Sequence, residues 1–173
     1  LFYSDMLTMD KTVEGFWAVN FWSYPHFLNW SLLQTQTLPG QPGVGSPVQP
    51  GTMSIEYDCS HPIFRFFPGD GFGDYQWFPI VMDSNPIILD QFPVSLEPIV
   101  WTVDHPVRGH KLGTVLEMQV GKGKLLICAA ALDRIPAPQA EWLKKGIYDY
   151  MASEQFSPKV CVDQAALKQF FQL

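Results

Sequence analysis

The sequence has no run of basic residues, no CxxC pair, no glycine-flanked serine or cysteine, and no stretch of about 18 apolar residues. Each absence removes a class of function. Lys and Arg total 11 against 17 Asp and Glu, for a net charge of −6. Without a basic stripe, nucleic-acid phosphates meet no complementary surface, so nucleic acid is excluded as a partner. Without a long apolar run, no membrane span is expected. The three cysteines, Cys59, Cys128 and Cys161, are too few and too scattered for a disulfide framework or a zinc site. No metal and no cofactor is implied. The chain opens Leu1-Phe2-Tyr3 without a basic n-region or signal peptide, which reads as a piece of something longer.

What is present points to a folded core. A length of 173 residues fits one domain. At 47% apolar and 16% charged residues, the chain belongs with globular rather than disordered sequences. Three regions differ in texture. Residues 1–51 form an irregular front segment, aromatic at Phe16, Trp17, Phe21, Trp22, Tyr24, Phe27 and Trp30, then rich in Pro and Gly over 39–51. Those prolines and glycines hold neither helix nor central strand. Residues 52–158 are the orderly α/β part, and 159–173 a tail with a short helix.

Within the orderly part, Thr52–Tyr57, Pro86–Asp90 and Pro98–Val103 are short strand-like runs, and the last two suit burial on both faces. Leu112–Val120 and Lys124–Ala131 flank Gly121-Lys122-Gly123, a hairpin signature. Cys128 lies inside the second of these runs and reads as a small buried hydrophobe. Pro138–Ser153 carries the clearest helical stripe, through Leu143, Ile147, Tyr150 and Met151, with Pro138 suited to the first turn. Asp163 is placed to cap a helix over Asp163–Phe171. Both-face-buried strands with a late helix predict an α/β fold with a mostly parallel sheet, flanking helices and a late hairpin.

Candidate chemistry is sparse. A hydrolase or amidotransferase nucleophile needs a sharp, glycine-flanked strand-to-helix turn, which is missing. Cys59 and His61 share one local turn with no evident orienting carboxylate, and read as strand-end residues. His105 and His110 stand around Arg108 and Gly109 and read as structural hydrogen-bonding groups. Glu56, Asp58, Asp74, Asp90 and Asp104 offer carboxylates, but mostly at strand ends. The glycines of Gly69-Asp70-Gly71-Phe72-Gly73 lack the Lys-Ser/Thr that a phosphate loop needs. The most suggestive patch is Asp74-Tyr75-Gln76-Trp77, followed by Phe78. Flat rings beside amide and carboxylate groups can hold a sugar, and these four residues are the candidate ligand-binding set. The competing reading of the rings is packing, the commoner role of aromatics, and it is the stronger one.

The order of segments carries a resemblance. Glu14-Gly15-Phe16, Phe21-Trp22-Ser23-Tyr24-Pro25-His26-Phe27 and Pro50-Gly51-Thr52-Met53 come first. His61-Pro62-Ile63-Phe64, Phe67-Pro68, Tyr75-Gln76-Trp77-Phe78 and Pro98-Ile99-Val100 follow. Gly109-His110-Lys111-Leu112-Gly113 and Val120-Gly121-Lys122-Gly123-Lys124-Leu125-Leu126-Ile127-Cys128 close the series. Over roughly residues 12–158 this is similar to the C-terminal region of large multidomain glycoside hydrolases of family two, the β-galactosidase/β-glucuronidase group, from polysaccharide-degrading bacteria. The matching region resembles a class I glutamine-amidotransferase-like, flavodoxin-like domain that has lost its catalytic cysteine. Neither the sugar-binding sandwich nor the catalytic barrel of that family is present, so no catalytic residue carries over. The resemblance implies a non-catalytic accessory domain, periplasmic or extracellular, whose partners are other domains of a glycoside hydrolase, a carbohydrate, or a second copy of itself. A carbohydrate-binding module is the alternative, and a free-standing hydrolase or amidotransferase a third.

Overall fold

A computed structural model describes residues 2–3, 11–13, 52–104 and 108–172. Its centre is a seven-stranded mixed sheet. The strands are β1 (Phe2–Tyr3), β2 (Ser54–Tyr57), β3 (Ile87–Ile88), β4 (Val100–Val103), β5 (Leu112–Val120), β6 (Gly123–Cys128) and β7 (Cys161–Val162). Among the described residues, three α-helices accompany them: α1 (Phe78–Val81), α2 (Pro138–Met151) and α3 (Gln164–Phe171). Two 3₁₀ turns, Pro62–Phe64 and Tyr75–Trp77, lie between β2 and α1.

The long strand β5 organises everything else. One of its edges carries β4 and then β7, and the other carries β3 and then β6. Val120 pairs with Gly123, so the connection expected to span the three residues Gly121-Lys122-Gly123 is a two-residue turn of Gly121 and Lys122, with Gly123 already in β6. Gly121 has φ +59°, a left-handed value that the primed hairpin turns demand and glycine adopts at no steric cost.

The expected mostly parallel sheet is corrected by the register. The pairs β2–β4, β3–β5, β4–β5 and β5–β6 are antiparallel, whereas β1–β6 and β5–β7 are parallel. Runs apolar on both faces report that two layers cover the sheet. They do not report strand direction, which here follows from the tight β5–β6 turn and the short return from β4.

Both covering layers are visible in the core. Val115, Leu126 and Cys128 face one side with Ile55 and Val100, and there meet Leu143, Ile147 and Tyr150 of α2 together with Phe64, Phe67 and Trp77. The alternate residues Leu116, Met118 and Ile127 face the other side and meet Phe92, Leu167, Phe170 and Phe171. Period-two alternation of side chains produces this split. Each fully buried Leu or Ile contributes on the order of 1.5–3 kcal/mol.

Helix α2 starts as expected at Pro138, whose missing N–H costs nothing in the first turn. Asp163 caps α3, its carboxylate accepting from Ala166 N at 3.0 Å. The 159–173 segment thus adds β7 to the sheet and α3 to the second covering layer. Of the front segment, the described residues include Phe2 and Tyr3, paired parallel with Ile127 and Cys128, and the buried Val13, whose N–H donates to Pro86 O. The aromatic stretch 16–30 and the Pro/Gly stretch 39–51 lie outside the described residues.

Candidate functional site

The Gly69–Gly73 loop runs beside β2 and covers its outer edge. Tyr57 N donates to Gly71 O at 2.9 Å, and Gly73 N donates to Ile55 O at 2.7 Å. Gly71 has φ +90°, and a Cβ at position 69 would lie 1.9 Å from Tyr57 Oη. The glycines therefore let the chain press onto β2 and its tyrosine.

This loop delivers Asp74, Tyr75, Gln76 and Trp77 into a 3₁₀ turn that sends neighbouring side chains to opposite environments. Asp74 caps the turn, its Oδ1 accepting from Gln76 N at 3.1 Å. With its amide nitrogen turned inward, Gln76 also donates to Asp74 Oδ1 at 2.7 Å. Trp77 is 0% exposed, whereas Tyr75 is 81% exposed. The indole sits among Tyr57, Phe64 and Phe67, with ring centroids 5.2, 6.2 and 4.8 Å away. A stacking platform needs an open face, so of these two rings only Tyr75 presents one. Tyr57 Oη and Trp77 Nε1 are both buried without a hydrogen bond of good geometry. Burial pushes the Tyr57 phenol up from its ordinary value, and the neighbouring Trp77 N–H pulls it back in part.

A second group of side chains gathers where the chain leaves the C-terminal end of β2. Residues 97–99 lead into β4 there, while Asp58–His61 leave β2. A cleft of about 680 Å³ opens between them, lined among others by Glu56, Asp58, His61, Glu97, Trp101 and Glu117. Glu56 and Trp101 are register partners on adjacent antiparallel strands.

Most of the cleft's polar groups are held in place. Asp58 Oδ1 accepts from Ser60 N at 2.9 Å and Ser60 Oγ at 2.6 Å, bonds that hold its carboxyl below the usual value. Glu117 Oε2 accepts from Tyr150 Oη of α2 at 2.7 Å. Glu97 faces Lys111 Nζ at 3.5 Å, and the same ammonium lies 4.8 Å from the Trp101 ring centroid. His61 Nδ1 accepts from Ile63 N at 3.4 Å, so it is the unprotonated nitrogen, and the ring packs edgewise on Tyr150 at 4.9 Å. Burial lowers the His61 pKa, opposed by the charges of Glu117 and Asp58. Burial, then the bond to Glu117, pushes the Tyr150 phenol well up.

The remaining candidates occupy structural posts. Asp104 accepts from Arg108 Nη2 at 2.6 Å and from His110 N at 2.9 Å. Asp90 Oδ2 accepts from Lys111 N and bonds His110 Nδ1, each at 3.2 Å. Cys128 is buried, and burial pushes its thiol up to about 12, far from nucleophilic. Cys59 and Cys161 are exposed thiols, and His61 spends Nδ1 on its own backbone. His26 and His105 lie outside the described residues. Among the described residues, no group of three His, Cys, Asp or Glu side chains could hold a metal, and no helix is long and apolar enough to cross a membrane.

Glu97, Trp101 and Glu117 escaped the sequence reading. Glu117 left one signal: a carboxylate set between Leu116 and Met118 in a largely covered strand must have a polar neighbour. The chain matches, over residues 1–172, the family model described as "Domain of unknown function (DUF8487)". No curated protein matches it.

Proposed function

The chain belongs to the DUF8487 domain family, and from the order of its sequence segments we propose that it is a non-catalytic accessory domain of a polysaccharide-degrading glycoside hydrolase. In this reading it docks on other domains of that enzyme, or on a second copy, in the bacterial periplasm or outside the cell. One observation carries the docking: Phe72, Tyr75 and Met82 are exposed within residues 72–82, at 55, 81 and 44%. Aromatic and Met side chains left on a surface are the residues that interfaces concentrate. Phe72 stands on the loop pinned to β2, Tyr75 on the 3₁₀ turn and Met82 just past α1, so the surface is pre-ordered and costs little entropy to engage.

The chemistry of the cysteines supports the non-catalytic half of the reading. Cys128 is buried and hard to ionise, and His61 has its Nδ1 engaged with Ile63 N rather than with the thiol of Cys59. We further read the sheet as the remnant of a glutamine-amidotransferase-like, flavodoxin-like arrangement. The parallel pairing of β1 with β6 supports that, since it gives an edge at which a parallel array could continue.

Turnover assays test the non-catalytic claim. The purified chain should not hydrolyse aryl glycosides or glutamine, and Cys59→Ala and His61→Ala should change nothing. Turnover by the wild type that either substitution abolishes would overturn the reading.

A further inference from the structure

We propose that the cleft between the end of β2 and the start of β4 binds a neutral oligosaccharide, laid against Trp101 and hydrogen-bonded by its register partner Glu56. The inference rests on the reading of the chain as an accessory domain of a carbohydrate-active enzyme, and gives it a binding site separate from residues 74–77.

The dimensions come first. At about 680 Å³ the cleft falls within the range of small-ligand sites, roughly 300–1,000 Å³. Its walls differ in kind. Trp101 with Pro98 and Ile99 supplies apolar surface, and Glu56, Asp58 and Glu117 supply acceptors. A pyranose has the matching division, with a C–H face that packs on an indole and a rim of hydroxyls that donate. Carboxylates accept only, and hydroxyl-to-carboxylate bonds are charge-assisted, hence stronger than neutral ones.

Pre-ordering separates this cleft from a loose acidic patch. Tyr150 fixes Glu117, Ser60 fixes Asp58, and the Glu56–Trp101 pairing sets ring and carboxylate side by side across the ladder. Fixed acceptors suit directional hydroxyls, whereas a mobile basic side chain needs only charge. His61, with Nδ1 already accepting from Ile63 N, keeps Nε2–H as a donor for a sugar oxygen.

Charge then sets specificity. Four carboxylates line the cleft, while Lys111 is the one cation paired with any of them among the bonds described. Uronate or sulfate groups would add like charge at close range, so acidic glycans are excluded and neutral ones are not.

The test uses the intact domain and a panel of hexasaccharides: neutral glucan, xylan, mannan and galactan fragments, an oligogalacturonate, and a sulfated fragment, with a lysine-rich peptide as a further arm. Binding is read by calorimetry and by indole N–H shifts in NMR. At least one neutral fragment binds. Trp101→Ala lowers its affinity by about tenfold or more. Glu56→Gln, an exposed and fold-neutral change, lowers it by at least about threefold. If Trp101→Ala unfolds, Glu56→Gln alone decides. Absence of neutral-glycan binding, affinity indifferent to Glu56→Gln, or binding of only the acidic fragments or only the peptide overturns the proposal. Hydrolysis of a bound fragment would instead overturn the non-catalytic reading, so the two failures are distinguishable.

Discussion

Tyr150 of α2 donates to Glu117 of β5 at 2.7 Å, and this bond ties the covering helix to the wall of the cleft. Tyr150 is 5% exposed, so its hydroxyl has exchanged water for protein partners, the Glu117 carboxylate and the Ser157 backbone.

Removing that donor should be felt. Tyr150→Phe is expected to cost about 1.5–3 kcal/mol, the range for a hydrogen bond to a charged group. The sign of the pH effect follows from the raised phenol. Its folded value lies above the ordinary 10.0, so the stabilisation is complete below pH 10 and declines as pH rises through the folded value. Urea melts of wild type and Tyr150→Phe from pH 8 upward should converge above pH 10, within about 0.5 kcal/mol. A constant gap would show that the bond does not set the phenol.

Gly146 makes the closest approach in the helical layer. A Cβ there would lie 1.9 Å from Ile63 O, a backbone atom that cannot swing aside. Gly146→Ala gains about 1 kcal/mol of helix propensity, yet overpacking costs about 1–3 kcal/mol or more. We expect net destabilisation by chemical melting. A stabilised variant would mean that α2 sits farther from the Pro62–Phe64 turn.

The two rings of the Tyr75–Trp77 turn should behave oppositely. Trp77→Ala is expected to cost about 3–5 kcal/mol, because it empties a site bounded by three aromatic rings. Tyr75→Ala should stay within about 0.5 kcal/mol of wild type. Thermal melts with and without oligosaccharides check both, and an unchanged melt for Trp77→Ala would contradict its place in the core.

His61 supplies a prediction on the acid side. Its folded pKa lies below the ordinary 6.5, so the unfolded chain binds the proton more readily. The stabilisation is whole above pH 6.5 and is lost as pH falls through the folded value. His61→Asn retains an acceptor for Ile63 N but not the titration, so its stability relative to wild type should rise over that window. NMR titration of the imidazole gives the folded value directly, and a value at or above 6.5 would contradict the sign.

Local features were legible in the sequence. The Leu112–Val120 strand, its glycine turn, the Pro138 helix start and the Asp163 cap each rest on interactions within a few residues, and each is found where the pattern puts it. Strand direction was not legible, because apolar coverage of both faces is the same for parallel and antiparallel neighbours. Nor was the cleft. Glu56 and Trp101 come from two strands, and only the β2–β4 register sets them side by side, while Glu117 reaches the cleft from β5. Tyr75-Gln76-Trp77-Phe78 read as one aromatic patch, yet the 3₁₀ turn buries Trp77 and exposes Tyr75.

The docking surface is the centre of the account, and hydroxyl-radical footprinting of Phe72 and Tyr75 tests it most directly. The comparison is between the isolated chain and the intact polypeptide that carries it, or its oligomer, with Trp77 as the buried internal control. Both exposed rings should oxidise readily in the isolated chain and be protected several-fold in the assembled protein, while Trp77 stays unlabelled in both. Equal labelling of Phe72 and Tyr75 in the two states would contradict a docking role for this surface.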